Sequence, residues 1–260
     1  MLYLVPTPIG NLEDLTFRAL RVLKEADLIA CEDTRTTGVL CQHYGIETPR
    51  TSFHAHNEHA KARHLVERMA AGETVALVSD AGTPGISDPG FLLVREALAA
   101  GVAVEALPGP TAFVPALVAS GLPTDRFVYE GFLPQKKGRQ TRLDALVGEA
   151  RTVVLYESPH RLVKLLGELA ERLGAERVDL FLDSKLIVEQ LHGRWRVKDA
   201  KLAPLHAEAK AILGGFTRWS ANHVPRAQNS TADRLANEAL DRVAAGGPAR
   251  IARARRIQPG

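Results

Sequence analysis

The chain has 260 residues, 45% hydrophobic and 24% charged, which is enough for a large core and for two lobes and is unlike a disordered or fibrous composition. Its 33 Lys and Arg against 30 Asp and Glu leave a net charge of +3, compatible with an RNA partner without requiring one. Two cysteines, Cys31 and Cys41, form no CxxC pair and no disulfide framework, so a cytoplasmic setting is expected; no apolar run is long enough to span a membrane, and the opening MLYLVPTPIG lacks the basic start of a signal peptide.

In chain order, residues 2–5 predict a short strand that ends in Pro6-Thr7-Pro8-Ile9-Gly10-Asn11. Asp14-Leu15-Thr16 leads into a helix whose apolar face includes Leu20, Val22 and Leu23. Residues 28–31 predict a second strand, closing on Glu32-Asp33-Thr34-Arg35. Two carboxylates, a hydroxyl and a guanidinium at a strand's carboxyl end suit a polar site; a self-satisfied salt-bridged turn is the competing reading. The cluster from Phe53 to His59 opens a helix running to about Ala71. Its three histidines have no matching ligand pair elsewhere, so a substrate-contacting loop using His56 or Asn57 is preferred to a metal site.

Residues 75–78, Val-Ala-Leu-Val, predict a fully buried strand that breaks into Ser79-Asp80-Ala81-Gly82-Thr83-Pro84-Gly85. In open α/β sheets ligands bind at that end of a strand, and Gly82 and Gly85 let backbone approach a ligand closely. Asp80 is placed to accept hydrogen bonds, although an ordinary tight loop with a capping Asp fits the same residues. A helix over 91–100 follows, then a strand over 102–107 closing on Pro108-Gly109-Pro110-Thr111, with Thr111 a candidate cap for the next helix. Strands alternating with helices predict a parallel sheet. Neither G-x-G-x-x-G nor G-x-x-x-x-G-K-[ST] occurs, so no common nucleotide-binding motif supports the loops.

Further on, residues 126–130 predict a strand, and Lys136-Lys137-Gly138-Arg139-Gln140-Thr141-Arg142 a basic turn suited to phosphates or a solvated helix start. A helix to Ala150, a strand over 153–156 and a helix over 161–173 complete this part.

Several of these segments together resemble the bacterial 16S ribosomal RNA cytidine 2'-O-methyltransferase family, of the tetrapyrrole-methylase fold. They are Val5 to Leu12, Glu32 to Arg35, His54 to Glu58, Val78 to Gly90, Leu107 to Pro110, Gly121 to Phe127, Tyr129 to Pro134 and Tyr156 to Arg161. The likeness runs from Met1 to about Gly174. It implies transfer of a methyl group from S-adenosyl-L-methionine (SAM) to a ribose hydroxyl, with ribosomal RNA or the small ribosomal subunit as partner, and suggests a homodimer. It also implies cofactor contacts at Pro8, at Asp80, Ala81, Gly82 and Thr83, and at Leu107, Pro108 and Gly109. Glu32, Asp33, Arg35 and His56 are the candidates for binding or activating the ribose.

After Gly174 the resemblance changes. Residues 178–191, 193–198, 223–229 and 232–240 resemble the later half of a ribonuclease H domain. Asp183 and Asp233 match two of that family's four acidic Mg²⁺ ligands, and nothing upstream resembles the segments that carry the other two. Little nuclease activity is expected from two carboxylates alone.

The expected fold is therefore α/β: a two-lobed tetrapyrrole-methylase-like arrangement with a parallel sheet, its second lobe incomplete and continued by a partial ribonuclease H-like segment. The expected divisions are 1–120 and 121–177 for the two methyltransferase lobes, 178–243 for the ribonuclease H-like part, and 244–260 for a basic flexible tail. Three functions follow: a SAM-dependent rRNA ribose methyltransferase, a Mg²⁺-dependent nuclease of RNA–DNA hybrids, or a non-catalytic composite.

Overall fold

The computed structural model describes residues 1–158, 160–174, 176–200 and 202–224. Its N-terminal part alternates strand and helix as expected. The elements are β1 (Leu2–Leu4), α1 (Phe17–Glu25), β2 (Leu28–Cys31), α2 (Thr34–Tyr44), β3 (Arg50–Ser52), α3 (Glu58–Ala70), β4 (Val75–Val78), α4 (Phe91–Ala99) and β5 (Val104–Ala106). The five strands form one sheet in the order β3-β2-β4-β1-β5, and every pairing is parallel.

The uninterrupted apolar runs of β2 and β4 are explained by burial on both faces. Leu28, Ala30, Val75 and Leu77 point to one face, where Ala62, Leu65 and Met69 of α3 and Leu92, Leu93 and Ala97 of α4 cover them. Ile29, Cys31, Ala76 and Val78 point to the other, beneath Ala19, Val22 and Leu23 of α1 and Leu40 and Cys41 of α2. Alternation along a strand thus becomes two cores, one on each side of the sheet. Each fully buried Val or Leu contributes about 1.5–3 kcal/mol relative to an exposed one.

The chain continues through α5 (Phe113–Ser120), β6 (Phe127–Phe132), α6 (Arg139–Ala145), β7 (Thr152–Tyr156) and α7 (Leu162–Leu173). Strands β6 and β7 pair in parallel, with a register shift between Tyr129 and Gly131. Then come β8 (Arg177–Leu182), α8 (Lys185–Leu191), α9 (Leu202–Leu213) and β9 (Arg218–His223), with β8 and β9 also parallel.

Three local expectations are corrected. Thr111 does not cap α5: the cap position is Ala112, which makes no side-chain cap hydrogen bond, because the helix starts later, at Phe113. Helix α6 stops at Ala145 rather than Ala150, and Gly148, at φ 79°, lies in the turn that follows. Arg139 is not a free phosphate ligand. It is buried, donates to both carboxylate oxygens of Glu168 at 2.6–3.1 Å, and lies 3.6 Å from Glu157.

The passage from one resemblance to the other is packed rather than merely connected. Leu165 and Leu169 of α7 lie in one core with Leu133, Leu143 and Phe216, while Leu166 of the same helix joins Leu180, Val188, Leu191 and Leu213. Arg177 at the start of β8 donates to the Ser120 carbonyl at 2.6 Å. The tail expected over 244–260 lies outside the described residues, as do all residues from 225 onward.

Candidate active site

The loops that follow β1 and β4 diverge. The chain leaves β1 for α1 on one face of the sheet and leaves β4 for α4 on the other. Two adjacent parallel strands whose loops part in this way open a crevice at their carboxyl ends, which is where ligands bind in such sheets.

The crevice is pinned by backbone. Thr7 and Gly82 exchange two hydrogen bonds of 2.9 Å, forming an isolated antiparallel bridge between the β1 and β4 loops. The Thr7 hydroxyl donates to the Ser79 carbonyl at 2.9 Å, and the Thr83 hydroxyl donates to the Pro110 carbonyl at 2.9 Å, tying in the β5 loop. A side chain on Gly109 would place its Cβ 2.6 Å from the Cβ of Pro6, so only glycine lets these two loops pass so closely. Pro8, Gly82 and Leu107 are buried within this knot, Thr83 is half-buried, and Asp80, Ala81, Pro108 and Gly109 face solvent. The loops expected to line a cofactor are therefore brought together.

Carboxylates collect on one side of the crevice. Asp80 accepts from the Asp33 backbone N–H at 3.1 Å, which links the β4 loop to the start of α2. Partial burial and the charges of Asp80, Asp88 and Asp33 push the Glu32 carboxyl above its ordinary range. Asp80 is raised by partial burial and by Asp33, against the hydrogen bond from the Asp33 backbone. Asp88 is raised by burial and by Asp80, with a Ser79 hydrogen bond opposing. Burial is the first cause in each and a neighbouring carboxylate adds to it, a combination common at functional sites.

Asp33 and Arg35 are occupied with each other. The Arg35 guanidinium donates to both Asp33 oxygens at 2.6–3.1 Å, and this pairing holds the Asp33 carboxyl at about 2. Asp33 also caps α2 by accepting from the Arg35 backbone N–H at 2.8 Å. The salt-bridged turn weighed for these residues is thus present, alongside a Glu32 that remains outside it.

In the β3 loop, His56 is exposed and stands 6.0 Å from the His54 ring. Asn57 is spent on the loop itself: it accepts from the His54 backbone at 2.8 Å and lies 3.1 Å from the His54 ring nitrogen Nε2. Among the described residues no group of three or more His, Cys, Asp or Glu is arranged to hold a metal. Asp183 directly follows β8, and Asp233 lies outside the described residues.

Reading the residues alone missed Asp88, Ser87 and Tyr129. Asp88 stands in the same loop as Asp80, eight positions on, and a search for further carboxylates in that loop would have found it. Tyr129 meets Ser87 through a 42-residue separation that no local pattern reveals.

A family model described as Tetrapyrrole (Corrin/Porphyrin) Methylases matches residues 1–182, and one described as Reverse transcriptase-like matches residues 168–239. The chain is 54% identical over 177 residues to Ribosomal RNA small subunit methyltransferase I of Pseudomonas aeruginosa, covering 68% of this chain and 63% of that protein. It is 53% identical over 194 residues to the protein of the same name from Escherichia coli O157:H7, covering 74% of this chain and 68% of that one. The chain thus spans less than two thirds of the length of the Pseudomonas relative. A crystal structure of diphthine synthase matches with a TM-score of 0.50 at 18% identity, covering 66% of this chain and 70% of that one, a likeness of fold alone. With the parallel sheet, the pinned crevice and a match over the first 182 residues in agreement, the chain belongs to the tetrapyrrole methylase family.

Proposed function

We propose that the chain transfers a methyl group from SAM to a ribose 2'-hydroxyl of small-subunit ribosomal RNA in the cytoplasm. The observation that carries this reading is the crevice between β1 and β4, with Glu32, Asp80 and Asp88 raised together on one side. The residues fit the cofactor: partly buried carboxylates beside the crevice favour a cationic ligand, and SAM carries an ammonium and a sulfonium. Gly109 and Gly82 let the loops pack this closely: a Cβ at Gly82 would stand 3.3 Å from the Ile9 side chain, and one at Gly109 2.6 Å from Pro6. When bound, SAM supplies an electrophilic methyl group.

The roles follow from the site's electrostatics. Asp80, with Ala81, Gly82, Thr83, Pro8 and the Leu107–Gly109 loop, would hold the cofactor. Glu32 is the residue suited to take the proton of the attacking hydroxyl. Its raised carboxyl is the better base, whereas Asp33, held at about 2, is a weak one and Arg35 stays charged. His56, exposed in the β3 loop, would meet RNA rather than the cofactor. The test is Glu32→Gln in a methyl-transfer assay on small-subunit RNA. A kcat lowered about 10²–10⁴-fold with SAM affinity kept within a few-fold supports the assignment, and an unchanged kcat overturns it.

Residues 1–120 and 121–177 would form the two methyltransferase lobes, followed by the ribonuclease H-like part at 178–243. Homodimerisation is supported by α5, whose Val114 and Val118 are 43% and 69% exposed; sedimentation at a single dimeric mass would bear it out. The nuclease reading rests on the match over 168–239 and on Asp183 at the carboxyl end of β8. It requires Mg²⁺-dependent cleavage of an RNA–DNA hybrid that is lost in Asp183→Asn.

A further inference from the structure

The loop from Ser79 to Gly90 carries Asp80 and Asp88 and is anchored at its base by Thr7 and Thr83. Its far end is held differently. Ser87 has φ 61°, the left-handed region that a serine adopts at a cost, and it alone does so among the described non-glycine residues. In that conformation its hydroxyl lies 2.7 Å from the hydroxyl of Tyr129 on β6.

The opposite side of this contact is shaped to receive it. The Tyr129 ring lies between Phe113 of α5, at 4.7 Å between centroids, and Tyr156 of β7, at 5.5 Å. The β6–β7 register slips between Tyr129 and Gly131, and Gly131 takes φ 63°. A Cβ at Gly131 would stand 2.8 Å from the Ser87 hydroxyl oxygen, so the bulge and the glycine together clear the space that Ser87 enters. A strained serine, a bulged strand and a ring packed from two sides thus converge on one hydrogen bond. Each is a departure from regular structure, and such departures persist where the surrounding structure enforces them.

We infer that Tyr129 is a positioning residue for the cofactor loop: its hydroxyl holds Ser87, and through Ser87 it sets the place of Asp88 and Asp80 in the crevice. The inference rests on the methyltransferase reading of that crevice. It makes the parallel β6–β7 pair part of the framework that shapes the cofactor site.

Tyr129→Phe keeps the ring between its neighbours and removes only the hydroxyl, while Ser87→Gly removes the hydroxyl and the backbone strain together. SAM affinity is measured by titration calorimetry, and amide hydrogen exchange of residues 80–88 is measured without SAM. Each variant should weaken SAM binding about five- to tenfold, and the double variant no more than either alone, because both delete the same contact. Exchange at 80–88 should quicken while the amides of α1 and α3 keep their protection. SAM affinity within twofold of the native protein together with unchanged exchange, even with a lowered melting temperature, would reduce the contact to a structural one and overturn the inference. Failure of the native protein to bind SAM would sink the methyltransferase reading itself, and with it this role; exchange in Tyr129→Phe would then still decide whether Tyr129 holds the loop.

Discussion

The chemistry of the crevice is set by a few acidic residues that are treated in opposite ways. Asp33 has an arginine and backbone donors, so its carboxyl stays ionised down to about 2. Glu32, Asp80 and Asp88 lose hydration first and have a neighbouring carboxylate second, so theirs are raised. A carboxyl raised in the folded state contributes stability that is complete below its unfolded value and is lost as pH climbs through the folded one. At neutral pH the cluster therefore works against the fold. Asp80→Asn keeps an oxygen for the Asp33 backbone N–H and removes one charge. It should raise the melting temperature of the ligand-free protein at pH 7 by roughly 2 °C, a modest figure because Asp80 is exposed, with the gain vanishing below about pH 4. A scan of melting temperature against pH checks this; a gain that grew on acidification would contradict the sign. The loss of SAM binding expected in the same variant would mark a site where stability is given up for a ligand.

At the level of elements, legibility followed the range of the interaction. The strands at residues 28–31 and 75–78 could be read because a double-sided burial leaves an uninterrupted apolar run. The loop residues could be read because proline and glycine punctuation sits next to the strands it ends. Arg139 could not, since its partners Glu157 and Glu168 stand 18 and 29 positions away and nothing local distinguishes it from Lys136 or Arg142. The difference is measurable. Arg139→Ala takes the close, hydrogen-bonded cation from Glu168 and leaves Glu157 to Arg161 alone, and should cost about 3 kcal/mol in urea unfolding. Arg142, whose 3.6 Å pair with Glu130 is exposed on the arginine side, should cost less than about 1 kcal/mol. Equal losses would mean that the buried network is not what holds α6.

For the whole molecule, the main surprise is how the two resemblances are joined. The order of the residues shows a change of resemblance near Gly174 and says nothing about packing across it. In three dimensions α7 serves both sides, and Phe216, well beyond the change, fills the same core as Leu133 and Leu143. Phe216→Ala should therefore destabilise the chain by about 3–5 kcal/mol, and loss of the signal from Trp195 and Trp219 should coincide with loss of the β6–β7 part. Separate transitions would show that the C-terminal segment folds independently of what precedes it.

The central claim is that the crevice between β1 and β4 holds SAM despite the altered C-terminal part. Titration calorimetry of the full chain with SAM tests it most directly. The account predicts saturable binding at one site per chain, abolished by Asp80→Ala and unaffected by Asp183→Asn; no binding heat with the native chain, or binding untouched by Asp80→Ala, would contradict it.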